Sequence, residues 1–218
     1  VQDVEPDALV FDPTSITGRV IKEDADYEGV RVTFRGSLQN VPLPMQIDVG
    51  FGDVVFPGAL MTEYPTILGQ AAPKLRGYSR ESAVAEKFEA MVKLGLLNSR
   101  MKDFYDIWLL SRQFDFDGAA LAGAIEKTFT HRGTTVTPEP TAFSLAFATD
   151  ASKVAQWQGF LRKIRLDEAP PELVAVSEAI REFLSAPAAA IRDGRPFTQT
   201  WRLAGPWIEL PESSSTIG

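Results

Sequence analysis

Apolar residues recur along this chain of 218 residues with two different periods, and the change from one to the other divides it. In the first quarter, Ile16 to Ile21, Val30 to Phe34 and Val41 to Val49 are rich in β-branched and aromatic residues, with turn residues between them at Asp26 to Gly29 and Gly36 to Asn40. The pattern predicts three strands joined as a meander or hairpin series. Ahead of them, Leu9, Val10 and Phe11 form a short apolar run that Asp12 and Pro13 should end. Val54 to Phe56 and Leu60 to Glu63 read as further short strands, and Pro73 as the connector that closes the sheet region.

Beyond Pro73 the period becomes helical. Ser79 suits an N-cap with Glu81 in the first turn, and Val84, Phe88, Met91 and Val92 follow at i, i+4, i+7 and i+8, which predicts a helix over about 80–94. Glu86, Glu89 and Lys93 should point away from that stripe, with Lys87 on its border and able to face a cleft. Gly95 and Asn98 break the pattern. A second helix over about 100–112 should bury Met101, Phe104, Tyr105 and Trp108 and carry Lys102, Asp103 and Asp106 on its other face. Further helices are expected at 116–131, 141–148, 151–164 and 171–186, with Trp157, Phe160, Leu161 and Ile164 forming one core stripe. Pro187 to Pro196 reads as a small-residue linker, before a strand-like stretch at 197–203 and an SSSTIG tail. The predicted organisation is α+β: a β-rich part at 1–73, a helical part at 74–186 completing the same domain, and a linker and tail at 187–218.

Composition narrows the chemistry. Cysteine is absent and there is one histidine, which removes disulfides, thiolate nucleophiles and multi-histidine metal centres. Any metal would be held by carboxylates, which suits a hard ion such as magnesium or manganese. His131, at the end of a predicted helix, suits a capping role, and Asp24 and Asp26, set among other charges, read as a turn. Neither a GxGxxG nor a P-loop motif occurs. No apolar run approaches the roughly 20 residues of a membrane span and no signal peptide is recognisable, so the expectation is a cytoplasmic protein with no membrane partner. Because the chain opens at Val1 without an initiator methionine, its amino end is expected to be truncated.

The formal net charge of -7 argues against a broad nucleic-acid coat, yet the stretch from Lys74 to Arg112 carries eight basic residues against five acidic ones. Its charges are either solvated helix surface or an electrostatic site. Lys102 and Asp106 stand at i, i+4 with the base first, the weaker order for helix stabilisation. Asp48 lies between Ile47 and Val49, so on a strand it faces away from both, as exposed surface or as a ligand in a cleft.

In combination and in order, QIDVGFGD, YPTIL and AEKFEAMVKLGLLNSRMKDFYDIWLL resemble the AbiEii/AbiGii toxin family of nucleotidyltransferase-like proteins, over most of residues 7–166. The resemblance implies a nucleotidyltransferase-like mixed β-sheet with flanking helices and a helical C-terminal region. It also implies a toxin of a bacterial toxin–antitoxin or abortive-infection system, a cognate antitoxin as partner, an NTP such as GTP as substrate with magnesium as cofactor, and transfer of a nucleoside monophosphate to RNA, tRNA foremost. Asp48 matches the family's third carboxylate, a metal ligand, and Lys87 the lysine that binds the triphosphate. Asp103 and Asp106 match the acidic end of the fourth motif, with Arg100 and Lys102 flanking as substrate-binding cations. The family's leading Gly-Ser and Asp-x-Asp motif is not found and would fall just upstream of Val1. A catalytically silent nucleotide- or partner-binding module is the alternative. If these residues serve transfer, Asp48, Lys87 and Asp106 should line one cleft.

Overall fold

The structure, a computed structural model, describes residues 8–22, 28–67, 69, 71–165 and 169–209. The turn expected at Asp24 and Asp26 and the SSSTIG tail lie outside them. The chain forms two compact units, Val1–Asp53 and Val54–Gly218.

The first unit is an antiparallel meander of β1 (Leu9–Lys22), β2 (Glu28–Leu38) and β3 (Val41–Gly50). Its register sorts the side chains by face. Val20, Val30 and Val49 stand in one row and Phe34 opposite Met45, whereas Arg19, Arg31 and Asp48 share the alternate row with Thr17, Thr33 and Gln46 in the next. The apolar run at 9–11 does not stop at Pro13 as expected. Pro13 lacks the N–H a continuous ladder needs, so the strand bulges between Asp12 and Thr17 and then resumes. Within the bulge, Asp12 Oδ1 accepts the backbone N–H and the hydroxyl of Thr14, and the Asp12 carbonyl accepts from the Ser15 hydroxyl. The β2–β3 turn is shorter than the sequence suggested, because Gln39 takes a positive φ of 53° and closes it in two residues.

The second unit begins with a hairpin of β4 (Leu60–Glu63) and β5 (Lys74–Gly77). The latter strand replaces the expected connector: its residues are almost all exposed, so no buried face leaves a period to read. Six helices follow among the described residues: α1 (Arg80–Leu94), α2 (Met101–Gln113), α3 (Gly118–His131), the single turn α4 (Leu145–Ala148), α5 (Ala151–Ile164) and α6 (Leu173–Arg192). The α+β class is as expected, and every sheet among the described residues is antiparallel. Ser79 caps α1 by accepting from the Ser82 N–H, and both hydroxyls donate to the Phe56 carbonyl, which ties the preceding loop to the helix.

Helix α1 runs through the middle of the core, with Val84, Ala85, Phe88 and Met91 fully buried and the Phe88 ring packed on Phe129 and Phe143. Along α5 the expected core stripe is only half realised. Trp157 is fully buried, while Phe160, Leu161 and Ile164 are part-buried, because α5 lies at the edge of the helical layer.

The linker expected at 187–196 is helical as far as Arg192, with Pro187 inside α6. Proline at that position cannot donate to the Phe183 carbonyl. The indole of Trp207 does so instead, at 2.9 Å, and its ring stacks on Phe183. Trp201 packs against Phe183 as well and donates its indole N–H to the Ser111 carbonyl. These contacts seat β7 (Thr200–Trp201) and β8 (Trp207–Ile208) beside β6 (Phe116–Asp117), which forms the first two residues of the stretch expected to be helix.

Trp207→Phe keeps an aromatic ring but leaves the Phe183 carbonyl unpaired beside Pro187. It is expected to cost at least about 1 kcal/mol, a fall in melting temperature of roughly 2–4 °C; thermal unfolding by circular dichroism checks this, and an unchanged midpoint would remove the role assigned to the indole.

Candidate functional site

Helices α1 and α2 are joined by the short bend from Gly95 to Arg100, and packing them together brings Lys87 onto two carboxylates. Lys87 Nζ lies 2.9 Å from Asp103 Oδ1 and 2.8 Å from Asp106 Oδ2. Both acids have a second cation. Arg100 Nε stands 2.7 Å from Asp103 Oδ2, an ion-pair distance without the alignment of a hydrogen bond, and Lys102 Nζ donates to Asp106 Oδ2. The cluster counts three cations against two anions, a local excess of positive charge in a chain that is acidic overall.

Burial grades the members. Asp103 is 4% exposed, contrary to its expected place on a polar face, because it shares the α1 side of α2 with Phe104 and Ile107. Asp106 and Lys87 are part-buried, and the side chains of Arg100 and Lys102 reach solvent. Burial alone would push the Lys87 ammonium down, but the hydrogen bond to Asp106 and the charge of Asp103 outweigh it and hold the group above its ordinary 10.5. Lys87 is therefore a fixed cation at neutral pH. Its ammonium has three donors, of which Asp103 and Asp106 take two.

Asp48 belongs to the first unit. It faces away from Ile47 and Val49, as expected for a strand, and Arg31 grips it bidentately, Nε to Oδ1 and Nη2 to Oδ2, both at 2.7 Å. Gln46 adds a third donor to Oδ2 at 3.1 Å. The Arg31 hydrogen bond holds the carboxyl below its ordinary value. Thus the structure brings together Lys87, Asp103, Asp106, Arg100 and Lys102, and gives Asp48 a partner of its own.

A second buried charge escaped the sequence reading. Glu89, expected on the outer face of α1, is 2% exposed and takes Arg132 Nη1 at 2.9 Å and the Thr134 hydroxyl at 2.5 Å. Arg132 also approaches Glu86, at 3.9 Å. The reason is that α3 covers the face the helical wheel left to solvent. His131 lies exposed in the last turn of α3, where a cation suits the helix end.

The family described as Nucleotidyl transferase AbiEii toxin, Type IV TA system, matches residues 2–186, and the chain belongs to it. The family implies a toxin nucleotidyltransferase of a type IV toxin–antitoxin system, with an NTP substrate and a cognate antitoxin. No curated protein and no solved structure matches the chain significantly. No helix among the described residues is long and apolar enough to cross a membrane.

Nucleotidyltransferases generally use a divalent metal with the NTP. Among the described residues no three carboxylates or imidazoles stand close enough together to hold one. Both oxygens of Asp48 are engaged by Arg31, and Asp103 and Asp106 are neutralised by their cations. The described residues by themselves do not fit the ion, magnesium included.

Lys87→Met would leave Asp103 buried with Arg100 alone. The variant is expected to lose about 3 kcal/mol of unfolding free energy. Because the folded value of Lys87 is raised, this contribution is present below the ordinary 10.5 and lost as pH rises through the folded value. Denaturant unfolding of both proteins should show a constant gap between about pH 6 and 9 that closes only above 10.5; a gap that closed near pH 8 would contradict a raised Lys87.

Proposed function

We propose that this chain acts as a cytoplasmic toxin that transfers a nucleoside monophosphate from an NTP, such as GTP, to the end of an RNA, with tRNA the favoured acceptor. The observation that carries the reading is the convergence of Lys87, Asp103 and Asp106 from two helices in a member of this family. In the reaction an RNA hydroxyl oxygen bonds to the α-phosphorus, the bond from that phosphorus to the bridging oxygen of the β-phosphate breaks, and pyrophosphate leaves while the hydroxyl proton passes to solvent. The protein's part is positioning and charge. Lys87, fixed as a cation by its two aspartates, directs its third N–H at a triphosphate oxygen, and Arg100 and Lys102 supply further positive charge at the cluster's solvent side.

A second reading, a nucleotide- or antitoxin-binding module without transfer, draws support from Asp48, whose two oxygens are both engaged by Arg31. One assay separates the two. The protein incubated with α-labelled NTPs and total RNA is expected to label RNA, tRNA above all, and Lys87→Ala to lower the rate by roughly a hundredfold or more while Lys87→Arg recovers part of it. RNA labelling that Lys87→Ala leaves intact would sink the role given to Lys87; NTP binding without any labelled RNA would establish the silent module.

A further inference from the structure

Beside the ion cluster, a groove with a cavity volume of about 380 Å³ runs between the amino end of α2 and one face of α5. Arg100 and Lys102 line it from α2, and Gln156, Gly159, Phe160 and Lys163 from α5. Those four stand at i, i+3, i+4 and i+7, so they form a single helical face about 10 Å long. Three of the lining residues are cations and none is an acid. Lys163 has no carboxylate partner among the described residues, and Asp103, in the first turn of α2, is held by Lys87 and Arg100 and does not line the groove.

Two features point to a strand of nucleic acid as the occupant. Phe160, which the sequence places in the core, is only part-buried and brings an aromatic ring to the groove, backed by Tyr105 and Trp157. Gly159 leaves the wall beside it bare. A Cβ there would meet only the Arg162 guanidinium, at 3.9 Å, so packing within the chain does not require a glycine in the middle of this helix. Cations on both walls with an aromatic ring beside them in an open groove are an arrangement that can follow a phosphodiester backbone and stack a base. The two walls are held in place by Lys153, buried on α5, which donates to the Asn98 carbonyl just ahead of α2 at 2.8 Å.

We infer that this groove binds the phosphodiester backbone of the single-stranded RNA acceptor, with Lys163 and the bare wall at Gly159 as its determinants on α5. The inference rests on the transfer reading above. Arg100 and Lys102 belong to both the groove and the ion cluster, so a strand lying here passes the two aspartates that hold Lys87.

Fluorescence anisotropy with a labelled single-stranded RNA oligonucleotide over a salt series, and separately with a fluorescent NTP analogue, tests it. Lys163→Glu and Gly159→Glu are expected to weaken RNA binding about tenfold or more at fixed salt and to leave binding of the analogue within twofold, and Lys163→Glu to lower the salt slope by about 0.7 for the lost lysine contact. Variants that keep the parent melting temperature and the parent RNA affinity overturn the inference, as does a parent chain that binds no RNA. Weaker binding of the NTP analogue with unchanged RNA affinity would also overturn it, since the groove would then hold the triphosphate. RNA binding that depends on Lys163 in a protein that never transfers a labelled nucleotide supports the groove and sinks the transfer reading, so the two failures are told apart.

Discussion

The second unit is organised by one constraint: α1 lies so deep in the helical layer that every charge along its middle has to be matched from a neighbouring helix. Between Ser82 and Val92 no residue is exposed. Moving an ion out of water costs several kcal/mol even after relaxation, so a charge at such a place persists only with partners in good geometry. Glu89 finds Arg132 and Thr134 beside α3, and Lys87 finds Asp103 and Asp106 on α2. The two ionic contacts lie on α1 two residues apart and fix it against two different helices.

Under the proposed transfer, this arrangement ties stability to chemistry. A lysine that must stay protonated to satisfy two aspartates is also a cation aimed by those aspartates, with its position set by helix packing rather than by a flexible surface chain. Rigid placement of this kind is what phosphoryl transfer asks of a protein, because the chemistry consists mainly of holding charge where it develops. The same lysine on an exposed helix face would keep its charge but lose its aim to rotamer freedom.

Away from the cluster, the C-terminal segment shows how a local rule gives way to a tertiary contact. Proline breaks helices because it strands a carbonyl and crowds the preceding turn. In α6 the stranded carbonyl of Phe183 is reached by an indole twenty-four residues further on, and the aromatic ring beside it stacks on that same indole. With the carbonyl satisfied and the ring covered, the helix continues to Arg192.

Periodicity alone determined a good deal: the bounds of α1 and α5, the order of the first three strands, and the facing of Asp48 opposite to Ile47 and Val49 follow from side-chain alternation that the backbone geometry imposes whatever surrounds it. Motif order carried the family. Tertiary structure alone decided which charges are buried and with whom. A helical wheel separates an apolar stripe from the rest but cannot say how many helices will cover the rest, so Glu89 and Asp103 read as surface and are core. Likewise, Phe160 carries a core residue's pattern and stands part-buried at the groove between α2 and α5, where its ring meets Tyr105 and Trp157 without being covered. The pairing of Asp48 with Arg31, the Trp207 bond that sustains α6, and the gathering of three cations along one groove all join residues distant in sequence, and no local pattern records such contacts.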